Sequence, residues 1–169
     1  ETFNGAPVRV MLDCRDIRGG EKTWQHIKKG VPLRVEIGPR DVESDSCFVG
    51  RRDQPPKQKQ SIPRKDFVGT IADQLESIQQ ELFNRALTSR EQVTKQIDSL
   101  DEFRDFFTAD KTNPSAIHGG FAHCHFAEGE QMESVLKELK VSLRCIPLDA
   151  EEEDGKCIFS NLPSRTRAV

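Results

Sequence analysis

The hydrophobic pattern in the front half of the chain predicts two antiparallel strands. Residues 32–37, PLRVEI, alternate so that three apolar side chains point one way and Arg34 and Glu36 point the other, which is typical of a half-buried strand with one charged face. Gly38 and Pro39 interrupt this pattern, and residues 46–52 predict a strand that returns antiparallel to the first. The connection DVESDS is expected to be a hairpin loop.

Three helices are predicted by apolar residues that recur every three or four positions. Residues 21–29 form the first, and Gly30 follows where a helix end favours a residue that tolerates positive φ. The second is long, because its apolar stripe runs from Phe67 to Ile97. A short third helix is expected at residues 98–108.

Short strands and loops account for the rest of the pattern. The front half adds a strand at residues 7–12 and an exposed Pro-rich loop at 54–65 with an edge strand at 60–62. The polar residues 112–114 mark the best domain boundary. Beyond them we expect a strand at 117–124, a helix at 128–140, a strand at 141–146, an acidic loop at 149–154 and a final hairpin at 157–169 with NLPS as its turn.

The composition shows an uneven distribution of charge and suggests a cellular compartment. The net charge of -3 conceals a basic front, with 14 Lys and Arg against 9 Asp and Glu up to Lys65, and an acidic rear, with 11 against 19 from Asp66 onward. We expect the front to meet any polyanionic partner, although unequal halves are also common in ordinary solvated surfaces. No apolar run approaches the ~18 residues of a membrane span. The 5 scattered cysteines fit a reducing cytosol better than a disulfide framework, so we expect a cytoplasmic protein, and no targeting signal can be read from the sequence.

Two weak likenesses to catalytic motifs are rejected. Residues 19–23 end like a phosphate-binding loop, but Glu21 stands where that motif requires glycine. His123 and His125 flank Cys124, yet neighbouring residues on a strand point to opposite faces, so neither imidazole is placed to activate the thiol. We therefore expect no catalytic residue in this chain.

The charged residues around the first turn are better suited to reading bases. An arginine fork matches the acceptor edge of guanine, and a carboxylate can accept from its N1 and N2 protons, so Arg34, Arg40 and Asp41 form a candidate reader of unpaired bases. An intra-sheet ion pair between Arg34, Glu36 and neighbouring residues is about equally compatible with the sequence.

Basic residues near this turn are candidates for phosphate contacts. They are Lys28, Lys29, Arg51, Arg52, Lys57, Lys59, Arg64 and Lys65. Aromatic side chains suited to stacking are scarce there, since only Trp24 and Phe48 qualify. The pattern therefore favours hydrogen-bonded base recognition over a stacking platform.

The motifs VRVMLDCRD, KKGVPLRVEIGPRDV and VGRRD resemble the anticodon-binding domain of the prolyl-tRNA synthetases, in the branch shared by archaea, eukaryotes and some bacteria. The segments FAHCHFAEGE and SLRCIPLDAEEEDGKCIFSNLPSRTRAV resemble the C-terminal domain of that branch. The resemblance implies an α/β, mixed-sheet class II anticodon-binding domain at residues 1–111, without its first strand and helix. A small α+β domain with a degenerate metal site follows at residues 112–169.

The resemblance also implies a function. Enzymes of this family activate proline with ATP and Mg²⁺ and then charge the proline tRNA, but the class II stretches that bind ATP are not visible here. We therefore expect this segment to bind the anticodon stem-loop without a cofactor of its own and without catalysing the reaction. The implied partners are proline tRNA, an upstream catalytic domain and a second copy in a full-length homodimer, with no membrane. The alternative is a freestanding RNA-binding or interaction module that kept the fold.

The family's anticodon readers fall on Arg34, Arg40 and Asp41, and the resemblance implies that they read two consecutive guanines. Lys29 and Lys57 are the candidate tRNA-phosphate contacts. An acidic family contact in the preceding helix has no match, because Ile27 occupies its place.

Many relatives carry a zinc ion on four cysteines in the C-terminal domain. Two of those positions fall on Cys124 and Cys157, whereas the other two fall on Gly129 and Ser160. Two thiolates make a poor zinc site, so we expect a metal-free domain.

Overall fold

The computed structural model describes residues 1–108 and 119–169, which form two compact units, Glu1–Ala86 and Leu87–Val169. The division by compactness therefore falls earlier than the boundary expected between residues 111 and 112. That boundary, with its polar residues 112–114, lies outside the described residues and stays a prediction. The expected α/β class with a mixed set of strands is confirmed.

The first unit is built on a three-stranded antiparallel sheet. Its strands are β3 (Leu33–Glu36), β4 (Ser46–Arg51) and β5 (Lys59–Pro63), with β4 in the centre. The other elements are β1 (Thr2–Phe3), β2 (Ala6–Pro7), α1 (Gly19–Lys28), α2 (Pro39–Glu43) and α3 (Arg64–Gln92). As predicted, α1 ends before Gly30 at positive φ, and the strand pair and edge strand form from the alternating segments.

One face of this sheet forms the core of the unit. Cys47 and Val49 of β4 pack with Phe67 of α3. Leu33, Ile62 and Ile71 are partly buried around them. Full burial of apolar side chains of this size contributes about 1.5–3 kcal/mol each relative to exposure, so these contacts hold α3 on the sheet.

Alternate residues of the three strands form the opposite face, which we call the polar face. It carries Arg34 and Glu36 of β3, Phe48 and Gly50 of β4, and Lys59 of β5. The expected division of β3 into two faces is confirmed, but its burial is not the expected one. Arg34 is 8% exposed whereas Val35 is 40% exposed. The arginine is buried on the polar face because Gly50 has no side chain and leaves space for the guanidinium above it.

Two expectations for the first unit are wrong. Residues 7–12 do not form a strand. Only Ala6–Pro7 pairs, with β1, and Val10 and Leu12 are exposed because no described strand pairs with this run. The connection DVESDS is also not a plain hairpin loop, since the short helix α2 precedes β4.

The second unit has a small mixed sheet and two helices. Its elements are β6 (Thr94–Gln96), α4 (Leu100–Phe107), β7 (Phe121–His125), α5 (Glu130–Leu139), β8 (Gly155–Lys156), β9 (Pro163–Ser164) and β10 (Arg167–Ala168). β7 lies between β6, which is parallel, and β10, which is antiparallel. The core contains Ile97, Phe103, Ala122, Cys124 and Val135. A hairpin forms near the expected place, but not with the expected bounds: β8 pairs with β9 around a turn at residues 158–160, and Pro163 and Ser164 of NLPS belong to a strand rather than to the turn.

The long helix is shorter than the sequence predicts. It ends at Gln92, and the next residues form β6 instead. The apolar spacing continues to Ile97, but that residue is fully buried (0% exposed) against the core of the second unit, and its N–H donates to the His123 carbonyl (3.0 Å). Tertiary pairing therefore outweighs the helical pattern over these residues.

The strand expected at residues 141–146 is not formed either. Two backbone hydrogen bonds join this segment to the last residue, from Arg144 N–H to the Val169 carbonyl (2.7 Å) and from Val169 N–H to the Cys145 carbonyl (2.9 Å). They tie the segment down without completing a ladder. Within the described ranges, no helix has both the length and the apolar content needed to cross a bilayer.

Candidate nucleic-acid interface

The three predicted base readers lie on consecutive elements of the first unit. Arg34 is in the middle of β3, and Arg40 and Asp41 are in α2, which begins at Pro39 shortly after β3 ends at Glu36. Arg40 is exposed and Asp41 is partly exposed. Arg34, in contrast to the other two, is buried.

Arg34 is a buried cation with no hydrogen-bond partner among the described residues. Its Nε atom is inaccessible to solvent and donates to nothing. Its guanidinium lies over Gly50, where an added Cβ would come within 3.0 Å of Nη2. Burial lowers the pKa of Arg34, and the charge of Glu36 only partly opposes this effect. Leaving a buried donor unpaired costs about 1–3 kcal/mol, so the guanidinium is prepared for an acceptor that this part of the chain does not supply.

The intra-sheet ion pair that competed with base recognition is formed by Glu36 with Lys59 and does not include Arg34. The Glu36 carboxylate instead accepts hydrogen bonds from Lys59 Nζ and from Thr23 Oγ1 (2.9 Å). Burial raises the pKa of Glu36, but the hydrogen bonds from Lys59 and Thr23 and the nearby cations outweigh it, so the net pKa lies below its usual value. Glu36 is therefore an ionised partner of Lys59, and the Arg34 fork is left open.

Asp41 has a structural contact as well as an open side. Its Oδ2 accepts the Gly38 N–H (2.8 Å), which caps the start of α2, and Pro39 suits the first helical position because it needs no donor. In the described parts of the chain, no hydrogen bond reaches its other carboxylate oxygen. Asp41 can therefore hold the turn and still accept from a ligand.

Ion pairing divides the basic residues that were candidates for phosphate contacts. Three of them are engaged, in the pairs Arg51–Asp53 (2.7 Å), Lys59–Glu36 and Arg64–Asp45 (2.6 Å). Lys29 and Lys57 are exposed and form no ion pair with any described residue. Lys28, Arg52 and Lys65 are also exposed and form no ion pair with a described residue, so these five, together with Arg40, remain available to a polyanion.

Sequence reasoning missed Gly50 and Thr23. A glycine inside a strand pattern is a signal for close approach of another group, and here it provides room for the Arg34 guanidinium. Thr23 gave no signal, since its contact with Glu36 depends on how α1 packs on the sheet. Of the two aromatic candidates, Trp24 is 57% exposed, whereas Phe48 has Lys59 Nζ 5.5 Å from its ring centroid.

Comparison with known proteins places this geometry in a family context. The family model described as "Anticodon binding domain" matches residues 1–74. Residues 1–74 are therefore similar to anticodon-binding domains. Arg34, Gly50 and the capped helix α2 all lie inside the matched residues, whereas the second unit lies beyond them.

The whole chain resembles part of several longer enzymes. The proline–tRNA ligase of Rhodopirellula baltica is 47% identical over 169 residues, which are 100% of this chain and 33% of the relative. Proline–tRNA ligase 2 of Anaeromyxobacter dehalogenans is 48% identical over 174 aligned residues, covering 100% of this chain and 34% of the relative. The chain thus spans about a third of the length of these curated relatives.

A solved structure shows the same fold. The prolyl-tRNA synthetase of Cryptosporidium parvum, complexed with L-proline and AMP, matches with a TM-score of 0.72 and 28% identity. The match covers 95% of this chain and 33% of that protein. Both units are therefore similar to parts of one larger enzyme.

The second unit does not contain a set of residues that fits a zinc ion at the family's four cysteine positions. Cys124 is buried in the apolar core, where burial raises the pKa of its thiol to about 11, so it is protonated at neutral pH. Cys157 is buried as well, and Gly129 and Ser160 supply no thiolate. Among the described residues no group of three or more His, Cys, Asp or Glu side chains is arranged to hold a metal.

Proposed function

We propose that this chain is the tRNA-recognition part of a proline–tRNA ligase and that Arg34 reads a guanine of the anticodon. One observation supports this more than any other, the buried guanidinium that donates to no described residue. A planar fork of this kind matches the O6 and N7 acceptors of guanine, and each good bidentate contact contributes about 1–3 kcal/mol of discrimination. The guanidinium, which donates to no described residue, gains acceptors when the base arrives.

Arg40 and Asp41 complete the proposed reader of two consecutive guanines. The free oxygen of Asp41 can accept from guanine N1 and N2, and the exposed Arg40 beside it can donate to the acceptor edge. Because Asp41 also caps α2, its carboxylate has a fixed orientation before RNA binds.

Lys29 and Lys57 are proposed to contact tRNA phosphates. Both are exposed, and neither is neutralised by a described carboxylate. Such contacts fix the position of the RNA and make binding depend on salt, but they do not read the bases.

We propose the charging of proline tRNA only for a longer protein that contains this chain. The relatives are named proline–tRNA ligases, and the Cryptosporidium structure contains L-proline and AMP. We propose that proline is activated with ATP and Mg²⁺ in a separate catalytic domain of a cytoplasmic, homodimeric enzyme. The likeness to both bacterial enzymes and the Cryptosporidium enzyme supports the branch shared by archaea, eukaryotes and some bacteria.

Binding of anticodon stem-loop RNAs tests this function. The affinity of the 169-residue chain is measured for a proline stem-loop and for two variants of it. In one variant adenine replaces the guanine at the second anticodon position, and in the other it replaces the guanine at the third. We expect each replacement to weaken binding about 5- to 150-fold, the factor equivalent to about 1–3 kcal/mol. Equal affinity for all three RNAs contradicts the assignment.

A further inference from the structure

We infer that Lys59 and Thr23 are positioning residues, which hold the Glu36 carboxylate away from Arg34 so that the guanidinium stays open to a base. Gly50 belongs to the same device, because it provides the space that the guanidinium occupies. The inference rests on the proposed role of Arg34 as a guanine reader. Neither Lys59 nor Thr23 needs to touch the RNA for this role.

An ion pair between Arg34 and Glu36 would be the ordinary outcome for this strand. The two residues are two positions apart on β3, so their side chains share the polar face with Cα atoms about 6.6 Å apart. Both side chains are long enough to close that distance. A carboxylate in contact with the guanidinium would take the same parallel N–H groups that guanine O6 and N7 require.

The observed contacts prevent that pairing. Lys59 belongs to the far strand β5, yet its Nζ reaches across β4, passes 5.5 Å from the Phe48 ring centroid and donates to Glu36 Oε1. Thr23 Oγ1 donates to the same oxygen from α1 (2.9 Å). Glu36 is thus bound by one residue of β5 and one residue of α1, and Arg34 belongs to neither element.

Gly50 links the two cations of the polar face. It is paired with Arg34 on one side and with Lys59 on the other. An added Cβ would lie 3.0 Å from Arg34 Nη2 and 3.5 Å from Lys59 Cγ. The guanidinium and the aliphatic part of Lys59 therefore both lie over Gly50, where the missing side chain leaves space for them. Lys59 can then reach Glu36 without displacing Arg34.

Neutralising Lys59 distinguishes this role from a phosphate contact. In Lys59→Met, Glu36 loses its main partner and is expected to turn to Arg34, so the preference for guanine over adenine falls towards the value of Arg34→Met. The double variant Lys59→Met/Glu36→Gln is expected to recover most of that preference. Thr23→Val should cause a smaller loss in the same direction.

The matched control is Lys57→Met, which removes an exposed lysine outside the polar face. It is expected to weaken binding of the guanine and adenine stem-loops by the same factor. If Lys59→Met does the same and Glu36→Gln restores nothing, Lys59 is a phosphate contact and the inference is overturned. Urea unfolding of each variant shows whether a loss reflects misfolding instead.

A second measurement needs no RNA and separates this inference from the proposed function. The pKa of Glu36 is followed by carboxyl NMR in Lys59→Met and in Lys59→Met/Arg34→Met. We expect it to stay low in the first, where Arg34 becomes the partner, and to rise in the second. No difference between the two overturns the inference. A clear difference without any guanine preference in the unmodified chain overturns the proposed function alone.

Discussion

Replacing Arg34 with methionine should make the protein more stable and at the same time a weaker RNA binder. The change removes a buried positive charge and fills its space with an apolar side chain of similar length. Residues selected for stability alone should not show this combination, because their removal normally lowers stability. Opposite signs are therefore the specific expectation for a buried group that serves a ligand.

The size of the stability change follows from two opposing terms. Removing the unpartnered donor relieves about 1–3 kcal/mol of desolvation cost. Losing the attraction to Glu36 costs about 0.6 kcal/mol if charges about 7 Å apart interact through water and about 2.4 kcal/mol at an effective dielectric constant of about 20, but the Lys59 charge paired with Glu36 opposes this attraction. The lowered pKa of Arg34 indicates the same balance, because burial outweighs Glu36. We expect the free energy of unfolding to rise by about 0.5–2 kcal/mol.

Urea unfolding followed by tryptophan fluorescence measures this change. The chain has 1 tryptophan, Trp24, and it lies on α1 in the same unit as Arg34. Arg40→Met is the matched control, because its side chain is exposed and its loss should weaken RNA binding with little effect on unfolding. A lower urea midpoint for Arg34→Met would show that the guanidinium stabilises the fold, and the reasoning from its missing partner would be refuted.

Four further outcomes are expected. Asp41→Asn keeps an acceptor for the α2 cap but loses the charge, so stability should change little while affinity for the guanine stem-loop falls about 5- to 150-fold; an equal loss of stability would show that the cap is its main role. The hydrogen bonds from Arg51 hold the pKa of Asp53 below its usual value, so its contribution to stability is present above about pH 4 and is lost as the pH falls through the lowered pKa. Urea titrations of Asp53→Asn should accordingly show a deficit at pH 7 that shrinks below about pH 4, and a constant deficit would contradict this assignment. Lys57→Ala should lower the slope of log affinity against log salt by about 0.7, and an unchanged slope would exclude a phosphate contact. Elemental analysis of the purified chain should find far less than one equivalent of zinc, since Gly129 and Ser160 stand at two of the four ligand positions; one tightly held equivalent would refute this.

The three strands β3, β4 and β5 of the antiparallel sheet could be predicted from local sequence. Val35 and Arg34 point to opposite faces in any extended segment, and Gly38 and Pro39 stop the strand wherever it lies. The same local reasoning found α1 and the edge strand β5. These elements were predictable because their neighbours in sequence determine them.

Other features depend on distant residues and could not be predicted in this way. The spacing from Val93 to Ile97 suits a helix, but pairing with β7, which is distant in sequence, makes β6 a strand. The five residues of α2 are too few for a periodic signal, and the Asp41 cap determines the helix. The burial of Arg34 is likewise set across the sheet, by Gly50 and by the contact between Lys59 and Glu36.

The candidate site was predicted by residue type, but its physical state was not. Arg34 and Asp41 were suggested by the chemistry of guanine recognition and by a family resemblance. The sequence left open whether Arg34 pairs with Glu36, because that choice depends on the competing partners Lys59 and Thr23. The structure shows that Glu36 is bound elsewhere, which is the observation on which the proposed role of Arg34 depends.

The most direct test is the NMR signal of the Arg34 Nε–H group. It is recorded in the 169-residue chain alone, with the proline anticodon stem-loop, and with the two adenine-substituted stem-loops. If Arg34 reads a guanine, the signal shifts on binding the first RNA, because the guanidinium gains an acceptor, and adenine at one of the two positions abolishes the shift. The same signal with all three RNAs, or no change with any of them, would contradict the central claim that this guanidinium is a base reader.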